Sequence, residues 1–544
     1  MAGRKFIIPV LAIAAVAGGA VAYTHFNGAS SDELSPQALA KVVPDEAYMT
    51  AFISTEPQNW AKLQKFGTPE AQAAVGKGLA EFQQKLLTDN KINYDTDVKP
   101  WVGNVMIALL PADAAKPKDP NVLMVVSIKD KTKALNFAQK LQSQSDSKAK
   151  AIDSDYKGIK ITDYPGEKSS SYTAVVKNYL VLAPEKKTVE QAIDTVKGEP
   201  SLASKADFGA LASKGIDMPN TIARIYVPDY AGSVQQLAAS KSGTSPLSAS
   251  SLDQLKKVKS IVANIGIDDA GLRMKSIANL DPQAKILEYK PVAGSVVAQF
   301  PTETFAMLNG AGISRYWAEA VEQSKANPQT QQTIAQMRQS AQSANLDLDK
   351  DIFGWMDGDF SLSFIASNEG ILSQFGFGGV MVFDTSDRKT AEATLSKIDG
   401  LVKGNGFVQV ANRDVQGKKI TEWQSPQGVL VGHGWLDQDS VFVAIGEPLV
   451  NVMATKPARS LDSSESYKAA MSGLPKQNVG SFYLDMDQTM LLVNRVMLVA
   501  QKNTIPPETA AVLNSIRGVG MASTQADKAT VQLEMLLALK PATK

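Results

Sequence analysis

Five aspartates, Asp347, Asp349, Asp351, Asp357 and Asp359, stand close together in the stretch "DLDKDIFGWMDGD". Carboxylates at alternate positions are what a calcium-binding loop uses, but such a loop also needs glycine at its sixth position and glutamate at its twelfth. Counted from Asp347, those positions hold Ile352 and Gly358. The match fails. The acids read instead as a turn and helix cap before a strand, with Trp355 packing inward. No metal is assigned; these five are the only candidates for one.

Other chemistry is sparse. The chain has no cysteine, which removes disulfides, thiolate metal sites and cysteine nucleophiles. It has two histidines, His25 and His433. His433 lies in "VGHGW" with no G-x-S-x-G or similar nucleophile signature, and reads as a turn or strand-end residue. The glycines of "FGFGG", residues 375–379, precede a strand rather than follow one, so they bend the chain into it and form no dinucleotide loop. No Walker A sequence is present. Lys160 and Lys419 sit in alternating strands and point to water. Net charge is +1, and no basic stripe studded with aromatics marks a nucleic-acid partner. No catalytic residue and no cofactor is assigned, and the expectation is a protein that is not an enzyme.

The elements that position these residues recur. With 544 residues the chain suits two domains. "YKGIKITDYPG" from Tyr156 matches "VQGKKITEWQSP" from Val415, with Gly158, Lys160, Ile161 and Thr162 on Gly417, Lys419, Ile420 and Thr421. Further blocks follow in the same order. Pro44 falls on Pro291, Ala51 on Ala298, Asp95 and Asp97 on Asp349 and Asp351, Trp101 on Trp355, and Tyr226 on Tyr483. A period this long means tandem domains, not a solenoid. Runs such as "NVLMVVSI", "YLVLA" and "DSVFVAIG" read as strands. "DKTKALNFAQKLQSQ" and "DRKTAEATLSKIDGLV" read as amphipathic helices capped by Asp130 and Asp387. Residues 240–253 read as a Ser-rich loop, and residues after Pro328 as a polar helix with Ile334 on its apolar side. The expected fold class is α+β: two tandem duplicated domains, each a mainly antiparallel sheet with helices on one face. The expected domains are 42–282 and 289–541, joined by a linker at 283–288.

Arg4 and Lys5 precede an uncharged stretch from Phe6 to Tyr23. Residues 1–27 read as a signal anchor, or as a signal peptide cut after Ala20-Val21-Ala22, with 28–41 as a tether. The positive-inside rule sends the body across the membrane, to a periplasm or thylakoid lumen if anchored, and to the outside if cleaved.

"VVPDEAYMTAFIST", "WVGNVMIALLP", "VLMVVSIKDKTKALNFAQKL", "YKGIKITDY", "YLVLAPEKKTVEQAID" and "SLASKADFGAL" occur in an order that resembles the bacterial family called Domain of Unknown Function 3352, especially its cyanobacterial members. The resemblance implies a membrane-anchored or periplasmic α+β protein and transfers no reaction. The expected role is non-enzymatic: binding an unknown protein or lipid partner at a membrane, in scaffolding, assembly or envelope maintenance. The alternatives are a carrier of lipid or small molecules and a hydrolase using the 347–359 acids.

Overall fold

The computed structural model describes residues 34–74, 94–111, 121–144, 151–165, 171–205, 208–209, 216–240, 249–283, 291–292, 294–325, 327–404, 406–499 and 505–543. The expected signal or anchor segment, residues 28–33 of the tether and the linker after Gln283 lie outside them. So do residues 241–248 of the Ser-rich stretch, whose remainder falls in the helices Tyr230–Ser240 and Ala249–Leu255. Among the described residues no helix is long and apolar enough to cross a membrane. The chain divides into two compact units. One comprises described residues of Met1–Lys65, Gln72–Asp269 and Met274–Asp281; the other comprises Phe66–Ala71, Ala270–Arg273 and Pro282–Lys544.

The strands of the first unit are β1 (Met49–Ile53), β2 (Val102–Leu110), β3 (Asn121–Ile128), β4 (Ile152–Tyr156), β5 (Ile159–Tyr164), β6 (Ser171–Val176), β7 (Tyr179–Ala183), β8 (Thr221–Val227), β9 (Val258–Ile267) and, from Met274 on, β10 (Gly271–Leu280). Their pairing order is β10-β9-β8-β1-β2-β3-β7-β6-β5-β4. β7 is buried at all five positions. Val181 and Ala183 face the core that holds Val189, Ala192 and Ile193 of the Lys186–Val196 helix. Leu180 and Leu182 face a second cluster with Ala134 and Phe137 of the Lys131–Gln144 helix. Helices therefore cover both faces, not one as expected, and the unbroken apolar run of β7 is the sign of it. The core begins inside the expected tether: Leu39 and Ala40 of the Pro36–Ala40 helix are fully buried.

The second unit holds β11 (Thr304–Ala311), β12 (Asp359–Ala366), β13 (Phe377–Asp384), β14 (Gln409–Val415), β15 (Lys418–Ser425), β16 (Gly428–Trp435), β17 (Ser440–Ile445), β18 (Gly480–Asp485), β19 (Ile516–Asp527) and β20 (Thr530–Leu539). Their order is β20-β19-β18-β11-β12-β13-β17-β16-β15-β14, all pairs antiparallel. The core face carries Met307, Val380, Phe442 and Tyr483 against Leu449 and Val450 of the Glu447–Ala454 helix. On the outer face the Arg388–Gly404 helix lays Ala391 and Leu395 on Trp355 and Val441. This unit too carries helices on both faces, the outer helix covering the part of the sheet at Trp355 and Val441.

Local chemistry explains the recurrent motifs. Lys157 and Gly158 both have positive φ, as do Gln416 and Gly417, the backbone of a two-residue I′ hairpin turn. Asp155 and Asp414 accept the N–H of Gly158 and Gly417 at 3.1 and 2.8 Å and close each turn. Ile161 and Ile420 are fully buried. Lys160 lies on the other side of its strand and pairs with Asp153 at 2.9 Å, and Lys419 is exposed. Asp130 and Asp387 cap their helices, accepting from the N–H of Lys133 and Thr390. The polar helix forms as Pro328–Ser343, capped by Asn327, with Ile334 buried.

One sequence match is displaced. Pro44 bridges Ser201, whereas it is Pro301 that bridges Ser460. Thr50 pairs with Tyr226, and Met307 with Tyr483. The bridge that resembles that of Pro44 is made by Pro301, not Pro291, and Ala298 lies in a 3-10 turn, Ser295–Gln299, not in a strand.

Candidate functional site

The clustered acids are each engaged by the protein. Asp347 caps the Leu348–Ile352 turn, accepting from the N–H of Asp349 and Lys350. Arg338 grips Asp349 with two bonds of 2.9 Å, and Trp317 Nε1–H donates to it at 2.7 Å. The guanidinium holds the Asp349 carboxyl below the usual range. Asp351 accepts from the N–H of Asp347 and from Lys397 at 2.6 Å, and these bonds lower it too. Asp357 binds the Ser386 N–H and hydroxyl. Asp359 opens β12 near Asp384, whose carboxyl is pushed up by burial and by the charges of Asp359, Asp437 and Asp439. The five therefore do not converge. Among the described residues no group of three or more His, Cys, Asp or Glu side chains is placed to hold a metal ion.

His433 sits inside β16, not at a turn or strand end. Its glycine neighbours face the core. A Cβ on Gly432 would stand 2.6 Å from Val450, and one on Gly434 2.5 Å from Ile420. The intervening histidine points outward and is buried under the Arg388–Gly404 helix. Its Nε2 lies 2.9 Å from Asp399 Oδ1, and Trp423 Nε1–H donates to the same oxygen at 2.7 Å. Burial by itself would raise the Asp399 carboxyl; the bonds from His433 and Trp423 outweigh it and hold the group low. A histidine and a carboxylate can relay a proton, but a nucleophile must then reach the ring. The residues across the strand pairs are Thr421 and Val443, and the Thr421 hydroxyl is spent on Asn412 at 3.1 Å. The arrangement works as a lock between helix and sheet. Asp399 was legible in principle: it continues the Ala391, Leu395 spacing, an acid in an apolar stripe.

Glu422, facing the core and buried, is neutralised by Arg413, which also reaches Asn451 at 2.7 Å. Both are residues that sequence pattern did not single out.

The outer face of the second sheet is the larger feature. One cross-strand row runs His433, Val443, Met381, Leu362, Leu308, Phe482, Met521, Met535. The next runs Val431, Ile445, Gly379, Phe364, Ala306, Leu484, Val519, Leu537. Beyond His433 neither row holds a side chain able to hydrogen-bond. Toward the middle of the face, Leu308, Leu362, Met381, Phe364 and Ile445 are 37% to 46% exposed. β12 is inverted to achieve this. Its alternation, "DFSLSFIA", would ordinarily turn phenylalanine and leucine inward. Instead Ser361 and Ser363 are buried on the core side, bonded to each other at 3.0 Å, while Leu362 and Phe364 meet solvent. The register is imposed by the neighbours, whose Met307, Val380 and Val382 face the core.

Fold and site together define an α+β protein with a large antiparallel sheet, helices, and an apolar sheet face in its second unit. A family model described as "Protein of unknown function (DUF3352)" matches residues 7–539, and the chain belongs to that family. No curated protein matches the chain. Among solved structures, crystal form I of TP0453 is 11% identical, with 46% of this chain and 80% of that chain covered and a TM-score of 0.25. Crystal form III is 11% identical, covering 46% and 81%, with a TM-score of 0.26. Likeness at that level carries no argument.

Proposed function

We propose that this chain is a non-enzymatic binding protein. It is built from two copies of one α+β domain and held by its N-terminal apolar segment with its body on the outer side of a membrane. The observation that carries the binding role is the apolar outer face of the second sheet. An antiparallel sheet left open to water normally alternates polar residues outward, and a contiguous exposed apolar face marks an interaction site.

The duplication is supported by the matching strand orders and by a repeated cluster. Trp101 Nε1–H donates to the Asp97 carbonyl at 2.7 Å while Asp97 pairs with Lys140; Trp355 donates to the Asp351 carbonyl at 2.8 Å while Asp351 pairs with Lys397. The non-enzymatic reading is supported by the closed pairing of Asp349, Asp351, Asp399 and Glu422 with cations or ring N–H groups. The membrane placement rests on Arg4 and Lys5 ahead of the Phe6–Tyr23 stretch.

Cross-linking in intact cells followed by mass spectrometry tests the reading. Adducts to a membrane-proximal protein or lipid are expected on peptides of β11, β12, β13 or β17. Adducts confined to other surfaces, or none, would remove the binding role from this face.

A further inference from the structure

We infer that the occupant of the outer face is the acyl chain of a membrane lipid. This rests on the binding role proposed above and names its ligand. The exposed part, from Leu308 on β11 through Leu362 and Met381 to Ile445 on β17, crosses three strand spacings, about 14 Å. Phe364 and Ile445 form the adjoining row about 7 Å away. Between these two, Gly379 leaves a notch: a Cβ there would only touch Ile445 at 3.5 Å and Phe364 at 3.9 Å.

The chemistry selects an alkyl chain over a peptide. A protein partner brings backbone and rim polar groups, and protein interfaces carry about one hydrogen bond per 100–200 Å². The exposed positions offer only CH, CH₂, aromatic carbon and a thioether. The two hydroxyls that β12 has to give, Ser361 and Ser363, are turned to the core, so the strand presents none outward. These strands lie inside the sheet, each hydrogen-bonded on both sides, so their backbones offer no edge to an added strand either. An acyl chain needs no hydrogen bond. The N-terminal apolar segment would keep the protein beside a supply of such chains.

The test uses the full-length chain with vesicles of phosphatidylcholine carrying a diazirine on one acyl chain. Irradiation and peptide mass spectrometry locate the label. Label is expected on β11, β12 and β13, in addition to residues 6–23. The double variant Leu362→Gln, Met381→Gln should cut the label on those strands at least tenfold, leave the N-terminal label unchanged, and keep or raise the thermal midpoint. Gly379→Val, which fills the notch with ordinary contacts, should cut it several-fold. Label confined to residues 6–23, or strand label unaffected by the double variant, would overturn the assignment. If cells then yield a protein cross-linked to these strands, the lipid assignment alone fails; if they yield no adduct there, the binding role fails with it.

Discussion

Asp399 Oδ1 lies 2.9 Å from Nε2 of His433, joining the fourth turn of a helix to the middle of a strand on the outer face of the second sheet. Because hydrogen bonds hold the Asp399 carboxyl below its unfolded value, its contribution to stability is present above about pH 4 and is lost as the pH falls through the lowered value. Asp399→Ala is expected to cost about 2 kcal/mol at neutral pH. The gap between variant and wild type should close below about pH 4. Urea melts at several pH values check this. A gap that widens on acidification would reverse the sign.

The Asp351–Lys397 pair makes a related but weaker prediction. The carboxylate is largely buried and half of the lysine is in water, so the ion pair alone is worth little. Asp351→Asn also weakens the bond from the Asp347 N–H, and about 1 kcal/mol should be lost at pH 7. This loss too should fade as the pH falls below about 4, since the folded carboxyl is lowered. Asp97→Asn, beside Lys140, should lower the stability of the first unit by a similar amount.

Ile161→Ala and Ile420→Ala remove fully buried side chains from the two cores and are each expected to cost about 3 kcal/mol. Ile161→Asp and Ile420→Asp, which put a charge at fully buried positions, should prevent the affected unit from folding. Limited proteolysis locates the effect, with cleavage expected first in the unit that carries the change.

The inverted strand offers a cycle. Ser361→Ala or Ser363→Ala alone strands the other hydroxyl and should cost about 1 kcal/mol. The double variant replaces both partners with apolar groups and should recover most of that loss. Additive losses from the two changes would mean that each hydroxyl has an independent partner.

Much of the local structure was legible in the residues. Gly158 and Gly417 mark a turn, because glycine takes positive φ at no steric cost. Asp130, Asp387 and Asn327 specify helix starts, because their oxygens reach the first free N–H groups. Trp101 and Trp355 were readable as inward residues beside an acidic turn. The displaced match of Pro44 was not readable, since a proline and a few apolar neighbours fit either of two places in "KPVAGSVVAQFPT". Only the bridge to Ser460 distinguishes them.

The sequence by itself determined what operates within a few residues: turns, caps, the helical stripes, and the alternation that makes a strand. It also carried the long-range order of motifs from which family membership follows. Tertiary structure decided which side of each strand is the core. Alternation fixes that Leu362 and Ser363 point opposite ways, but the sheet neighbours choose which way, and they turned the serine inward. It likewise brought Asp399 to His433 and Trp423, and separated five aspartates that stand close in the chain. Those outcomes depend on register and packing between elements distant in sequence, where no local periodicity carries the information.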